Sequence, residues 1–311
     1  MGLWYELSNS GIDRPAPVVY EAIMEWPKRV EVYGHRPQHL VLICSAPPQP
    51  HNGEPVMPYI RRILLCSLII HTAYARISEI NGCPYTISQP GQYHITTDLK
   101  CPGSGNIAIS VMASNVQLHF DGHTLNGNNA WQFGVLVAGS NDNIVGSGTV
   151  TGFQFGIVVE SLQDGTGETP PPTSGNQIVN VQVANSLSHG IVIINSVYNQ
   201  LINCAANGNA LDGILVGSDN SVISNTANGN GWYGIDIFSN DNRVIANETN
   251  GNTLAGIAVE FEASGNSMLG NKAADNNKTS GSFDLADFNS NCDSNIWRGN
   301  QFRTANQQCI H

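Results

Sequence analysis

Charge is scarce in this chain, and positive charge scarcer still. Asp, Glu, Lys and Arg make up 12% of its 311 residues, with 13 basic side chains against 24 acidic ones. Residues 1–75 balance 6 acids against 6 bases, whereas residues 76–311 hold 18 acids and 7 bases, so the whole net charge of -11 lies in that second part. A chain of this kind repels polyanions. Nucleic acid is not expected as a partner, and an acidic polysaccharide held in a basic groove is disfavoured on the same ground. Aromatic residues are few (7%). No apolar period of 3.6 residues is visible, which excludes helical bundles and helical solenoids, and the leucine framework of leucine-rich repeats is missing. No C-x-x-C occurs, which argues against zinc ribbons and thioredoxin-like sites. No apolar run reaches the roughly 20 residues of a membrane span.

Glycine and asparagine are abundant instead. There are 32 glycines, and 34 asparagines follow Ala75. Asparagine forms helices poorly and turns well. A glycine followed by alternating apolar residues recurs as GVLV at Gly134, GIVV at Gly156, GIVI at Gly190, GILV at Gly213, GIDI at Gly234 and GIAV at Gly256. The intervals are 22, 34, 23, 21 and 22 residues. The long one contains a Pro/Gly/Thr-rich stretch at 161–175 that reads as an inserted loop. Short apolar strands bounded by asparagine follow at Asn199, Asn220, Asn242 and Asn266, and Asn-Gly-Asn turns at Asn207, Asn228 and Asn250. Gly and Asn supply left-handed backbone at such turns. Two or three short strands per repeat of 20–24 residues predict a parallel β-helix whose coils stack about 4.8 Å apart, with equivalent asparagines forming hydrogen-bonded ladders.

The G-I-x-V and N-x-V-I-x-N-x-x-x-G-N patterns over residues 105–300 resemble the right-handed parallel β-helix repeats of the pectate-lyase-like superfamily, in particular NosD-type and generic right-handed β-helix proteins. The resemblance implies an all-β, single-stranded right-handed parallel β-helix (a solenoid). It does not choose among the lyases, hydrolases, epimerases, tailspikes and non-enzymes that share this fold.

Residues 57–75 carry Arg61 and Arg62, an apolar run at Ile63–Ile70 and the sequence Ala73-Tyr74-Ala75, in the order of a secretory signal with its cleavage site. Residues 1–56 show no sustained period and read as a non-structural leader, with Met57 as the initiator. Export to an extracytoplasmic or secreted location follows, and it suits five later cysteines. Cys83 pairs with Cys101 and Cys292 with Cys309 by proximity, leaving Cys204 as a buried thiol. These pairs close an N-terminal cap at 76–104 and a C-terminal cap at 292–311 around the repeats at 105–291, with Trp297 and Phe302 plugging the end.

Two constellations carry chemistry. His119, Asp121 and His123 alternate, but Asp121-Gly122 is a turn signal, so no metal site is read there, and no cofactor is expected. The second set comes from the repeat register. The residue before each leading glycine runs Phe133, Phe155, His189, Asp212, Tyr233, Ala255. Two residues after the glycine the outward column runs Val158, Val192, Leu215, Asp236, Ala258, and four after it runs Glu160, Ile194, Gly217, Phe238, Glu260. His189, Asp212, Asp236 and Tyr233 therefore fall on one exposed patch as candidate acid-base residues, since histidine is the side chain that exchanges protons near neutrality. Trp232, Phe155, Glu160 and Glu260 are candidate sugar contacts. Ser188-His189-Gly190 resembles the Gly-His-Gly of polygalacturonases, without their paired-Asp and Arg-x-Lys motifs. Tyr233-Gly-Ile-Asp236 resembles the Tyr-Gly-x-Asp of alginate epimerases, with Ile-Phe-Ser where Pro-His-Asp would follow. Three functions stay open: a secreted carbohydrate-interacting protein, a polysaccharide lyase, hydrolase or epimerase, and a structural surface protein. If the signal is read correctly, N-terminal sequencing of the exported protein begins at Arg76; a mature form retaining residues 1–56 overturns that reading.

Overall fold

The computed structural model describes residues 18–22, 30–35, 39–42, 77–161, 172–276, 278–279 and 281–311. The chain divides into two units, Met1–Tyr74 and Ala75–His311. In the first, Val18–Ala22, Val30–His35 and His39–Leu42 pair as a three-stranded antiparallel sheet, within a stretch where the sequence shows no sustained period. The expected signal segment at 57–75, its cleavage point, and positions 162–171 of the expected loop lie outside the described residues.

The second unit is a parallel β-solenoid of about eight turns. Its twelve-stranded sheet carries a continuous stack through Tyr85–Ile87, Gly105–Val111, Thr124–Val137, Thr149–Glu160, Ile191–Ile194, Ile214–Val216, Ile235–Ile237, Ala255–Val259 and Phe283–Asp287. A ten-stranded sheet from Ile77–Ile80 to Ile296–Arg298 borders the same core. Among the described residues the only helical turn is Ser290–Cys292, and no helix is long and apolar enough to cross a membrane. Ile191, Ile214, Ile235 and Ile257 pair in register and are fully buried. They form the aliphatic ladder that alternation within the repeat predicts.

The leading glycines have a reason the sequence does not reveal. A Cβ on Gly213 would stand 2.6 Å from Asn230 Nδ2 and 2.7 Å from Gly234 O; one on Gly234 would stand 2.5 Å from Gly256 O. These positions are glycine because the neighbouring coil leaves no room for a side chain. Left-handed backbone is found instead in the Asn-Gly-Asn turns, where Gly208, Gly229 and Gly251 each have φ near +66°.

Three buried asparagine ladders join successive coils. In the first, the backbone N–H of Asn199 donates to Asn220 Oδ1 (2.9 Å), Asn220 to Asn242 (2.9 Å), Asn242 to Asn266 (2.9 Å) and Asn266 to Asn295 (3.0 Å). A second runs Cys204, Asn225, Asn247, Asn271, Asn300. A third runs Ser186, Asn209, Asn230, Asn252, Asn276 and ends on Asp284. Each carboxamide also donates through Nδ2; that of Asn230 reaches both Ala206 O and Asn252 Oδ1 at 3.0 Å. Asn247, the first residue of an Asn-x-Thr sequon, is 1% exposed and fully engaged, which leaves no amide for a glycan.

Both expected disulfides are present, Cys83–Cys101 and Cys292–Cys309, and Cys204 is free and buried. In the chain-entropy picture each closure of this loop length stabilises by about 3 kcal/mol. The segments they close continue the sheets: Gly91–Ile95 pairs with Val116–His119, and Ile296–Arg298 with Ser267–Leu269. At the C-terminal end Trp297 is buried with its indole N–H on Asp287 Oδ2 (2.9 Å), and Phe302 packs half-buried against the core.

Asp142 holds the first ladder's N-terminal place. Its N–H donates to Asn176 Oδ1, its Oδ1 accepts from Val116 N–H, and its Oδ2 is buried without a partner. Burial pushes this carboxyl from 3.8 up to about 6, against the backbone hydrogen bonds that pull it down. A carboxyl with a raised folded pKa contributes relative stability below its unfolded pKa, and that contribution is lost as pH rises through about 6. Asp142→Asn installs the ladder residue without charge. It should raise stability by about 1–3 kcal/mol above pH ~7 and by little near pH ~4, read as the difference between the two proteins' denaturant curves across pH.

Candidate functional site

The leading glycines set the outer face of the stack. With each glycine pressed against the next coil, the residue before it turns outward, and parallel register aligns these residues into columns. One column is Phe133, Phe155, His189, Asp212, Tyr233, Ala255. A second is Leu136, Val158, Val192, Leu215, Asp236, Ala258. A third is Glu160, Ile194, Gly217, Phe238, Glu260. The middle column forms a floor between the other two. Leu136, Val158 and Val192 are buried under Phe133, Phe155, Ile194 and Leu215. Toward the C-terminus the floor turns polar at Asp236.

The expected acid-base residues come together here, with both carboxyl groups sunk rather than exposed. Asp212 is 1% and Asp236 8% exposed. His189 Nδ1 lies 2.9 Å from Asp212 Oδ2, yet no hydrogen bond is aligned on that nitrogen, so the contact is close without being well directed. The other oxygen, Asp212 Oδ1, accepts from Tyr233 N–H at 2.9 Å. Phe133 stacks on Phe155 (5.4 Å between centroids), and Phe155 on His189 (5.8 Å), continuing one ladder of rings into the acidic region.

Asp236 Oδ1 is buried with no partner. Burial first, then the charges of Asp212 and Glu260, push this carboxyl up to about 8. It therefore holds its proton at neutral pH and stands as a hydrogen-bond donor on the floor. Burial also raises Glu260, although its hydrogen bond with Tyr233 opposes the rise; the Tyr233 hydroxyl is raised by burial and then by the Glu260, Asp236 and Asp212 charges. The arrangement can present a proton from Asp236, a hydroxyl from Tyr233 and an imidazole from His189 to one ligand.

Of the expected contact residues, Trp232 lies exposed beside Tyr233, and Phe155 belongs to the ring ladder. Glu160 does not join the cluster. It shares a column with Glu260 but is four coil steps away, about 19 Å at strand spacing, and its Oε1 accepts from Asn195. Phe238 on the third column is exposed, and the register carries that column through Glu260 to exposed Phe288, with exposed Phe261 next to Glu260 in the chain. Sequence reasoning passed over Phe288 because the last coil lacks the leading glycine; the alternation in Phe283-Asp-Leu-Ala-Asp is the signal that marks it.

The His119 triplet is split, as the turn signal predicts. Asp121 (φ 49°) and Gly122 (φ 86°) reverse the chain, and His123 N–H returns to Phe120 O. His123 then faces Asp98 (3.4 Å), whereas His119 stacks on His94 (4.5 Å), itself 2.5 Å from Asp121. Among the described residues no group of three or more His, Cys, Asp or Glu is arranged to hold a metal ion.

No protein-family model matches the chain, and no curated protein matches it. Solved structures similar to it include the periplasmic alginate epimerase AlgG (TM-score 0.45, 15% identity, 78% of this chain and 53% of that one). Others are the A-module of mannuronan C-5 epimerase AlgE6 from Azotobacter vinelandii (0.46, 15%, 77% and 84%) and an alginate lyase from Paenibacillus sp. (0.45, 14%, 79% and 95%). The chain spans about half the length of AlgG. At these identities and TM-scores the names of those proteins assign nothing to this chain.

The Asp236 carboxyl should titrate near pH 8 in a carbon-detected NMR experiment. Asp212→Asn removes one of the two neighbouring charges and should lower that midpoint by part of the shift only, because burial is the larger cause. A midpoint in the ordinary carboxylate range in the unmodified protein would overturn the assignment.

Proposed function

We propose that the protein is an extracytoplasmic polysaccharide-binding β-helix whose ligand lies along the outer groove. The observation that carries this reading is the outer face at Asp236, where a polar floor lies between exposed Trp232 on one side and exposed Phe238 on the other. Pyranose rings answer both features, offering hydroxyls to the polar floor and C–H faces to the flanking rings. Two disulfides, stable in oxidising compartments, support a location outside the cytoplasm.

A second reading adds catalysis, and the contact between His189 and Asp212 favours it. A histidine at 2.9 Å from a nearly fully buried carboxylate, which is itself one coil from Asp236, is the layout of a proton-transfer pair beside a donor. In that role His189 moves the proton, Asp212 orients its ring, Asp236 supplies the second carboxyl and Tyr233 donates to the sugar.

Affinity electrophoresis against plant and microbial polysaccharides tests the first reading. Trp232→Ala and Phe238→Ala, both on exposed side chains, should each weaken retention by about 2- to 12-fold, since each stacked ring contributes about 0.5–1.5 kcal/mol, with melting unchanged. Retention equal to the parent in both variants would remove the groove as the binding site. On any polymer that is turned over, His189→Ala should lower kcat by roughly 10²- to 10⁴-fold; a two-fold loss leaves binding without catalysis.

A further inference from the structure

The three outer columns share the acidic excess of residues 76–311. They hold four acids, Glu160, Asp212, Asp236 and Glu260, and no lysine or arginine. The basic residues of the described solenoid lie elsewhere. Arg243 and Arg298 are in strands of the ten-stranded sheet, Lys272 is in the two-stranded pair with Glu248, and Lys100 pairs beside Leu125–Asn126. Arg303 is committed to Asp275 at 2.5 Å, and Lys278 lies past the Asn252–Asn276 rung. His189, the one basic group on the columns, already faces Asp212.

The remainder of the groove is apolar. Leu136, Val158 and Val192 line the floor next to the Phe133–Phe155–His189 rings, so the surface passes from apolar to acidic over a few coils. No group described there would neutralise a ligand carboxylate or sulfate, and no acidic set is arranged to bridge one through a cation.

We propose that the groove takes an uncharged glycan and rejects polyuronates and sulfated chains. This rests on the polysaccharide reading above and narrows it. Hydroxyls of a neutral sugar meet the half-buried Tyr233 and Glu260 beside Asp236, while its ring faces and any acyl or deoxy substituents lie on the apolar stretch. A uronate carboxylate at the same place meets Asp212 and Glu260 in a site where water screens poorly, and like charges brought together in that way discriminate strongly.

The test uses the full mature chain and polymers matched in backbone: polygalacturonate, alginate and glucuronan, each beside its carboxyl-reduced neutral form, together with unsubstituted glucan, mannan and xylan. Binding is measured at low and high salt. The expected result is retention on neutral members only, nearly independent of salt, with every polyuronate at least about tenfold weaker than its reduced form at low salt. An Asp212→Asn/Glu260→Gln double variant, with folding checked by its melting temperature, should narrow that gap. Tighter binding of any polyuronate than of its reduced form overturns this inference and leaves the polysaccharide reading standing, and an unchanged gap in the folded double variant overturns it too. Absence of retention on every polymer removes the polysaccharide reading and this inference with it.

Discussion

A backbone N–H of one coil donating to the carboxamide oxygen of an asparagine in the next is the contact on which this solenoid depends. It recurs at 2.8–3.0 Å through Asn199, Asn220, Asn242 and Asn266, and again through Asn225, Asn247 and Asn271. At a corner of the coil the chain leaves one sheet before entering another, so its N–H and C=O groups have no strand partner. Buried without partners they would cost stability at each turn. One carboxamide supplies an acceptor for the N–H and a donor for a neighbouring C=O, and its period is that of the coil. The asparagine excess is therefore a backbone requirement repeated once per corner per turn.

Register follows from the ladders, and the groove follows from register. A slip of one residue between coils would break three ladders together and turn every side chain to the opposite face. With slip forbidden, residues more than twenty positions apart become neighbours at strand spacing. His189 meets Asp212 and Asp212 meets the Tyr233 N–H in this way. The leading glycines add the second constraint: pressed against the carbonyl of the next coil, they let the residue before them face outward and form the wall beside the floor that holds Asp236.

Two carboxyl groups in the fold illustrate opposite uses of burial. Asp142 stands where a ladder asks for asparagine and is raised to about 6 with one oxygen unsatisfied. Asp287 is equally buried, but its oxygens accept from Asn289, Asn295 and the Trp297 indole, so it fastens the C-terminal end. Asp236 resembles the first and not the second, and it lies just under the outer face, beside Tyr233 and Glu260.

The amino-acid order alone was enough for the fold class, the repeat, the isoleucine ladder and both disulfides. Each of these depends on a pattern with a fixed period or a short sequence separation, and such patterns survive without coordinates. The same period placed His189, Asp212, Tyr233 and Asp236 on one face, since in a solenoid sequence offset converts directly into height. Depth and environment were not legible. Whether Asp212 is exposed or 1% accessible, whether Asp236 has a partner, and whether Glu160 reaches the cluster depend on how the side chains around them pack. Nor could the order of residues tell a glycine needed for left-handed backbone from one needed because Asn230 Nδ2 and Gly234 O occupy the space of its side chain. Both requirements select the same residue, and only the position of the neighbouring coil separates them.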